Sequence, residues 1–469
     1  MRERKFAART GVSSQVDEED YRAGTLGAVT TYRRPASNHD REILRLAVPA
    51  FGALVAEPLF LLSDSAIVGH LGTEPLGGLG VAGQALSTLV YICVFLAYGT
   101  TAGVARQVGA GDMRSAVRQG IDGMWLALAI GAVLVAAGWP LVPTIVDAFG
   151  ASPAVAPYAE TYLRVSLFGI PSMLVVLAGT GVLRGLQDTR TPLYVAVGGF
   201  SLNLVLNVLF VLVLGWGIAG SAWGTVLAQS GSAAVYVWVV LRAARRHGSP
   251  VHPDLEGLKT AATAGFGLLL RTAALRVVLI VGTSIAARMG DQEIAAYQVG
   301  FQVWTLLAFA LDAIAIAGQA ITGRYLGASD VAGTRAVTRR MVLWGIGSGV
   351  VFGLLILLVR PWLPHLFTSD GGVHELLFAS LLVVALLQPV AGVVFVLDGI
   401  LIGAGDGMYL AVTTLIATLV FLPAAVAAYR VDAGLLGLWA AIGLWMLTRM
   451  VTLGLRARGD RWMVTGAVR

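Results

Sequence analysis

Cysteine, lysine and histidine are nearly missing from this chain of 469 residues. Cys93 is the single cysteine and lies inside an apolar run, where it reads as a small core residue. One thiol cannot close an intrachain disulfide, build a four-cysteine zinc site or carry a haem-attachment motif. Lysine occurs only at Lys5 and Lys259, so the positive charge is almost entirely arginine. The six histidines, among them His39, His70, His247 and His252, sit mostly at the ends of apolar runs or between them. The chain has no helical His-x-x-x-His zinc pair, no Walker motif and no nucleophile–base constellation. The GAGD and GASD segments at 109–112 and 327–330 are too short to cradle a phosphate. An ATP-driven pump or a membrane enzyme is disfavoured, and no cofactor is expected.

Charge is also scarce. Charged residues make up 13% against 57% hydrophobic, with a mean hydropathy of +0.78. Soluble domains carry roughly a quarter charged residues, so this excess implies repeated membrane spans of about 20 residues each. Twelve apolar runs can be counted, at about 46–70, 79–103, 121–140, 162–182, 193–214, 218–241, 261–287, 295–321, 341–359, 376–402, 408–429 and 434–455. At that length only helices satisfy their own backbone in lipid. The net charge of +6 and pI of about 9.6 reflect topology and not nucleic-acid binding, because the basic residues cluster at span ends. With an even span count both termini share a side. That side carries 26 Arg and Lys residues; the other carries four, Arg164, Arg288, Arg360 and Arg430. The positive-inside rule then places both termini in the cytoplasm.

An internal repeat appears at an offset of 218 residues. VARQVGAGD (104–112) lies over TGRYLGASD (322–330), and GVLRGLQD (181–188) over GILIGAGD (399–406); Pro171 pairs with Pro389 and Gln84 with Gln302. Six spans per half give the halves one orientation, related by an axis along the membrane normal. The expected organisation is a disordered cytoplasmic tail (1–42), an N-lobe of six spans (43–241), a cytoplasmic linker (242–260), a C-lobe of six spans (261–456) and a cytoplasmic C-tail (457–469).

Ionisable residues inside the spans are few, and each costs about 2.5–3.5 kcal/mol at a helix centre facing lipid. Glu57 and Asp64 lie two turns apart on one face of span 1, which also contains the kink-prone Pro49 and Pro58. A carboxylate taken out of water favours its protonated form, so this helix is a plausible proton-sensing element; a structural, hydrogen-bonded role is the alternative. Asn203 and Asn207 share a face of span 5, and Thr225 of span 6 can join them. On polar pattern alone, hydrogen bonding between helices is the plainer role. Asp312 and Gln319 share a face of span 8, and Asp398 lies in span 10. Arg271 of span 7 is the natural counter-charge, unless the two carboxylates attract a cationic substrate. Arg276 and Arg449 are expected near span ends, snorkelling to headgroups. Gln84 and Tyr98 of span 2 complete the cleft candidates.

The sequence resembles the multidrug and toxic compound extrusion (MATE) family, in particular its DinF branch. The resemblance runs from about 43 to 456. It rests on EPLFLLSDSAIVGHLG (57–72), GVARQVGAGD (103–112), GVLRGLQDTR (181–190), LNLVLN (202–207), LDAIAIAGQAITGRYLGA (311–328) and FVLDGILIGAGD (395–406). It implies two six-helix bundles forming a V around a cleft, and export of organic, often cationic or amphipathic compounds driven by inward H⁺ or Na⁺. Asp64 resembles the family's first-helix coupling residue. Asn203, Asn207 and Thr225 fall at its N-lobe cation site, where Asn207 replaces an expected carboxylate. That departure favours H⁺ over Na⁺. Asp312 and Asp398 resemble second-lobe carboxylates of the DinF branch, and Arg271 occupies the region of a glutamate found in the Na⁺-coupled branch.

The reading is therefore an all-α, twelve-span antiporter of the bacterial inner membrane. It is expected to be monomeric, to contact lipid and small organic substrates, and to bind no nucleic acid. The alternatives are a lipid-linked precursor flippase of the same superfamily, which would need arginines in the cleft, and a non-transporting receptor or channel.

Overall fold

The computed structural model describes residues 36–467. The expectation of a disordered tail over 1–35 therefore lies outside the described residues, as does the side chain of Glu57.

The fold is helical throughout the described residues. Helix α1 (Ala36–Gly69) runs unbroken through Pro49 and Pro58. Helices α2 (Thr73–Cys93) and α3 (Phe95–Gly109) form one span interrupted at Val94. Next come α4 (Met113–Ala148) and the pair α5 (Ala156–Leu167) and α6 (Ile170–Gly185), bent by 54°. Pro171 stands in the first turn of α6, where its missing N–H costs nothing. Helix α7 (Arg190–Asn207) continues into a π-helical segment, Val208–Val213, and α8 (Gly217–His247) ends the first half. The second half holds α9 (Leu255–Met289), α10 (Asp291–Gly327), α11 (Val331–Val359), the short α12 (Leu363–Phe367), α13 (Gly371–Gly403), α14 (Gly407–Arg430) and α15 (Gly434–Arg458). Eleven of these segments are long and apolar enough to cross a membrane, and twelve when α5–α6 counts as one span.

Two boundaries differ from expectation, and the C-tail adds a contact. The 36–42 stretch of the expected tail is helix, held at its start by Asp40, whose carboxylate accepts from Arg340 Nε and Nη2 at 2.6 Å and Trp344 Nε1 at 2.8 Å. The linker shrinks to 248–254, because α8 and α9 extend beyond their apolar stretches. The C-tail folds back onto the body: Trp462 is buried and Gly466 N donates to Leu326 O at 3.0 Å.

Four turns on the face that carries the termini share one construction. Gly111, Gln187, Ser329 and Gly405 adopt positive φ of 80°, 65°, 57° and 73°. Each is followed by an aspartate whose N–H returns to a carbonyl five residues back: Asp112 to Gln107, Asp188 to Leu183, Asp330 to Tyr325 and Asp406 to Leu401. This is the Schellman closure of one helix. The side chains of Asp112, Asp188 and Asp330 then accept from backbone N–H groups opening the next helix. The GAGD and GASD segments are thus helix-to-helix hinges.

The two halves are fastened at this same face. A Cβ on Gly109 would stand 2.0 Å from the carbonyl oxygen of Arg324, and one on Gly327 would stand 2.0 Å from that of Arg106. Those contacts are reciprocal, so the ends of α3 and α10 cross at a pseudo-twofold point that only glycine permits. Arg106 of α3 donates to Ala404 O (2.7 Å), Val464 O (3.0 Å) and Gly466 O (3.2 Å). Arg324 pairs with Glu42, and Gln187 Nε2 donates to Ala320 O at 2.8 Å. The polar link between halves farthest from the termini is Arg276 Nη2 to Thr88 Oγ1, 2.9 Å, near mid-span. Beyond it, among the described residues, no hydrogen bond or ion pair joins the halves. The structure is closed at the terminus face and unfastened at the opposite one.

Candidate transport site

The polar cluster of the first half is built from three helices. Asp64 sits five residues before the end of α1, Asn203 and Asn207 occupy the last turns of α7, and Thr225 lies in the third turn of α8. The cluster therefore lies toward the face opposite the termini. Asn207 Nδ2 donates to Asp64 Oδ1 at 2.5 Å and to Asn203 Oδ1 at 3.0 Å. Thr225 Oγ1 accepts from Asn203 Nδ2 at 3.2 Å and shares its single proton between the Ser221 carbonyl at 3.1 Å and Asp64 Oδ2 at 3.4 Å. Asp64 is 2% exposed and both asparagines 0%. The expected quartet is thus one hydrogen-bonded set, as buried polar groups require, with Asn207 Oδ1 left without a partner. Asn207 is the last α-helical residue before the π segment, where the widened turn reshapes the backbone; such bulges recur at functional sites.

Sequence reasoning missed the companions of this set. The Tyr162 hydroxyl lies among Thr225, Ser166 and Ser221, within electrostatic range of Asp64. Ser221 precedes Thr225 by one turn, and Tyr162 precedes Ser166 by one turn, so the same face argument that found the asparagines could have found them.

The second half differs more from expectation. Asp398 is buried, and its Oδ2 pairs with both Arg271 and Arg449. Arg449 does not snorkel: it is 5% exposed and points inward, because Asp398 offers the charge that its desolvation demands. Arg271 serves Asp398, not Asp312. Arg276 is held between halves, on Thr88 and over the Tyr91 ring at 5.5 Å. Asp312 is partly exposed and lies within electrostatic range of Arg184 and Arg271. Gln319, expected in the cleft, is 1% exposed inside the helix packing and does not line it, since α13 crosses α10 there through Gly403. Gln84 is exposed and Tyr98 partly so. The cleft candidates are thus not mainly acidic. Arg184, Arg271, Arg276 and Arg449 gather where, among the described side chains, Asp312 and Asp398 oppose them. Among the described residues no cluster of three or more His, Cys, Asp or Glu side chains suits a metal ion.

Two parallel six-helix halves, meeting at one face with polar clusters buried in each, define a multi-pass membrane transporter. A sequence profile of the MatE family matches residues 49–209 and again 267–427, displaced by the 218 residues of the internal repeat. The chain belongs to the MatE family, within its DinF branch. It is 30% identical to Protein DETOXIFICATION 44, chloroplastic, of Arabidopsis thaliana, over 87% of this chain and 80% of that one. It is likewise 30% identical to DNA damage-inducible protein F of Escherichia coli strain K12, over 78% and 81%. Among solved structures, an outward-facing multidrug resistance MATE transporter of the MOP superfamily superposes with a TM-score of 0.81 at 22% identity, covering 90% of this chain and 95% of that one.

Proposed function

We propose that the chain is an H⁺-coupled antiporter of a bacterial inner membrane that exports small organic compounds by alternating access, with the terminus face in the cytoplasm. It works as a monomer among lipids, without a prosthetic group. One observation carries the coupling ion: the buried cluster of the first half holds a single carboxylate, Asp64, with both oxygens engaged by an amide and a hydroxyl. A proton needs one carboxylate. A hard metal cation prefers a shell of oxygens, yet beside Asp64 Oδ1 stands the nitrogen of Asn207. Asn207 Oδ1 has no hydrogen-bond partner. When Asp64 takes a proton it becomes a donor, and the Asn207 amide, turned about its terminal bond, offers that oxygen as acceptor. Both protonation states are then accommodated. Pro49 and Pro58 each remove a backbone hydrogen bond from the helix that carries Asp64, so α1 is the element able to bend when its partners change.

The test uses proteoliposomes with H⁺ and Na⁺ gradients imposed separately, and a pair of xanthene dyes of opposite charge, rhodamine 6G and fluorescein. Asp64→Asn should lower pH-driven dye movement by about tenfold or more. Undiminished pH-driven transport by that variant removes Asp64 from the mechanism. Movement driven by Na⁺ alone would replace the proton. The flippase alternative gains from the arginines of the second half, but the eleven to twelve candidate spans among the described residues favour the exporter over a fourteen-span flippase.

A further inference from the structure

The base of the cleft carries positive charge that the coupling mechanism does not use. Tyr91 of α2 lies within electrostatic range of Arg271, Arg276, Arg449 and Asp312 at once. Tyr98 of α3 lies within range of Arg271, Arg184 and Asp312. The two tyrosines therefore mark one neighbourhood, contributed by seven helices of both halves. Its described charges are four arginines against Asp312 and Asp398. Asp398 is already shared by Arg271 and Arg449, so that trio retains one positive charge. Asp312 compensates one more, which leaves a surplus of two.

Desolvated guanidinium groups are costly unless paired. Here the pairing is incomplete at the level of atoms. Arg271 is 8% exposed, yet its Nε has no hydrogen-bond partner; the Nε of Arg276 also has none. The site is nonetheless reachable, because Arg276, Tyr98 and Asp312 are partly exposed and Tyr91 is 36% exposed. Idle donors on one buried and one partly exposed arginine, beside tyrosine rings that are themselves partly exposed, suit a particular guest. Its carboxylate or sulfonate would take the guanidinium donors, and its planar body would lie against the rings.

We infer that the base of the cleft, at Arg271, Arg276 and Arg449 with Tyr91 and Tyr98, is a binding site for an aromatic organic anion. This rests on the exporter reading and reverses the cargo charge that the sequence suggested. Asp312 acts in the site as a brake, keeping the cavity from holding the anion too tightly to release it.

Fluorescence anisotropy with protein in nanodiscs, against empty nanodiscs, reads binding without any gradient. The wild type should bind fluorescein saturably and leave rhodamine 6G, the same ring system as a cation, at background. Arg276→Gln should weaken fluorescein binding about tenfold or more, Arg276→Lys should restore most of it, and Asp312→Asn should strengthen it severalfold. The gain in Asp312→Asn is an outcome that damage to the fold would not produce. The inference is overturned by absence of saturable fluorescein binding, by preference for rhodamine 6G, or by an Arg276→Gln variant that binds like wild type. Fluorescein bound but never moved under either gradient would sink the exporter reading and leave the site standing. Rhodamine 6G exported with fluorescein refused would keep the exporter and sink the site.

Discussion

Asp112, Asp188, Asp330 and Asp406 close four equivalent turns, yet only two of those turns place glycine at the left-handed position. Ser329 holds φ 57° with an exposed side chain. A left-handed L-residue is strained by about 1 kcal/mol or more, so Ser329→Gly should raise stability by about 0.5–1 kcal/mol, read as a higher Tm in detergent. Asp112 is a pH-dependent cap. Backbone and side-chain hydrogen bonds from Ser115 hold its carboxyl below the usual 3.8. A depressed carboxyl stabilises the fold above its unfolded pKa and loses that contribution as pH falls through the folded value. The Tm difference between wild type and Asp112→Ala should therefore be full at pH 7 and shrink at about pH 3. At this scale the sequence was partly legible. Asn203 and Asn207 were found because polar groups one turn apart in an apolar span must share a partner. Arg449 was misjudged because its partner, Asp398, lies 51 residues away on another helix, and hydropathy carries no information about which way neighbouring helices face each other.

Among the elements, α3 and α10 carry the closure of the molecule. Their crossing at Gly109 and Gly327 leaves no room for a methyl group. Gly327→Ala should disfavour the closed terminus face by about 1–3 kcal/mol, the usual range for overpacking. Distances between spin labels on the two halves at that face should lengthen or broaden; an unchanged distribution would show that the crossing tolerates the methyl. The repeat at 104–112 and 322–330 was visible in the sequence and identified both glycines as equivalent. Their mutual contact was not, because a repeat gives equivalence and not proximity. Helix ends were the weakest part of the reading. Helices α8 and α9 outrun their apolar stretches, as amphipathic ends reaching beyond lipid do.

For the whole molecule, span count and parallel orientation followed from hydropathy, arginine placement and the 218-residue offset, and the two matched segments of the family profile repeat that offset. The charge balance of the cleft did not follow. Listing acidic and basic residues by span could not reveal that Arg184 of the first half and Arg449 of the last helix converge on one neighbourhood. The fold-back of the C-tail did not follow either, since a hydropathy window over the charged segment around Trp462 carries no sign of its burial.

The fold-back of that tail bears on how the protein is handled. Val464 and Gly466 supply two of the three carbonyls that Arg106 grips across the halves, so the chain end is part of the clasp. Deleting 459–469 should lower the Tm and loosen the terminus face, seen as faster thiol labelling at a cysteine placed beside Arg106. A purification handle joined directly behind Gly466 would load a working joint, and a spacer between the two is the safer starting point for transport assays.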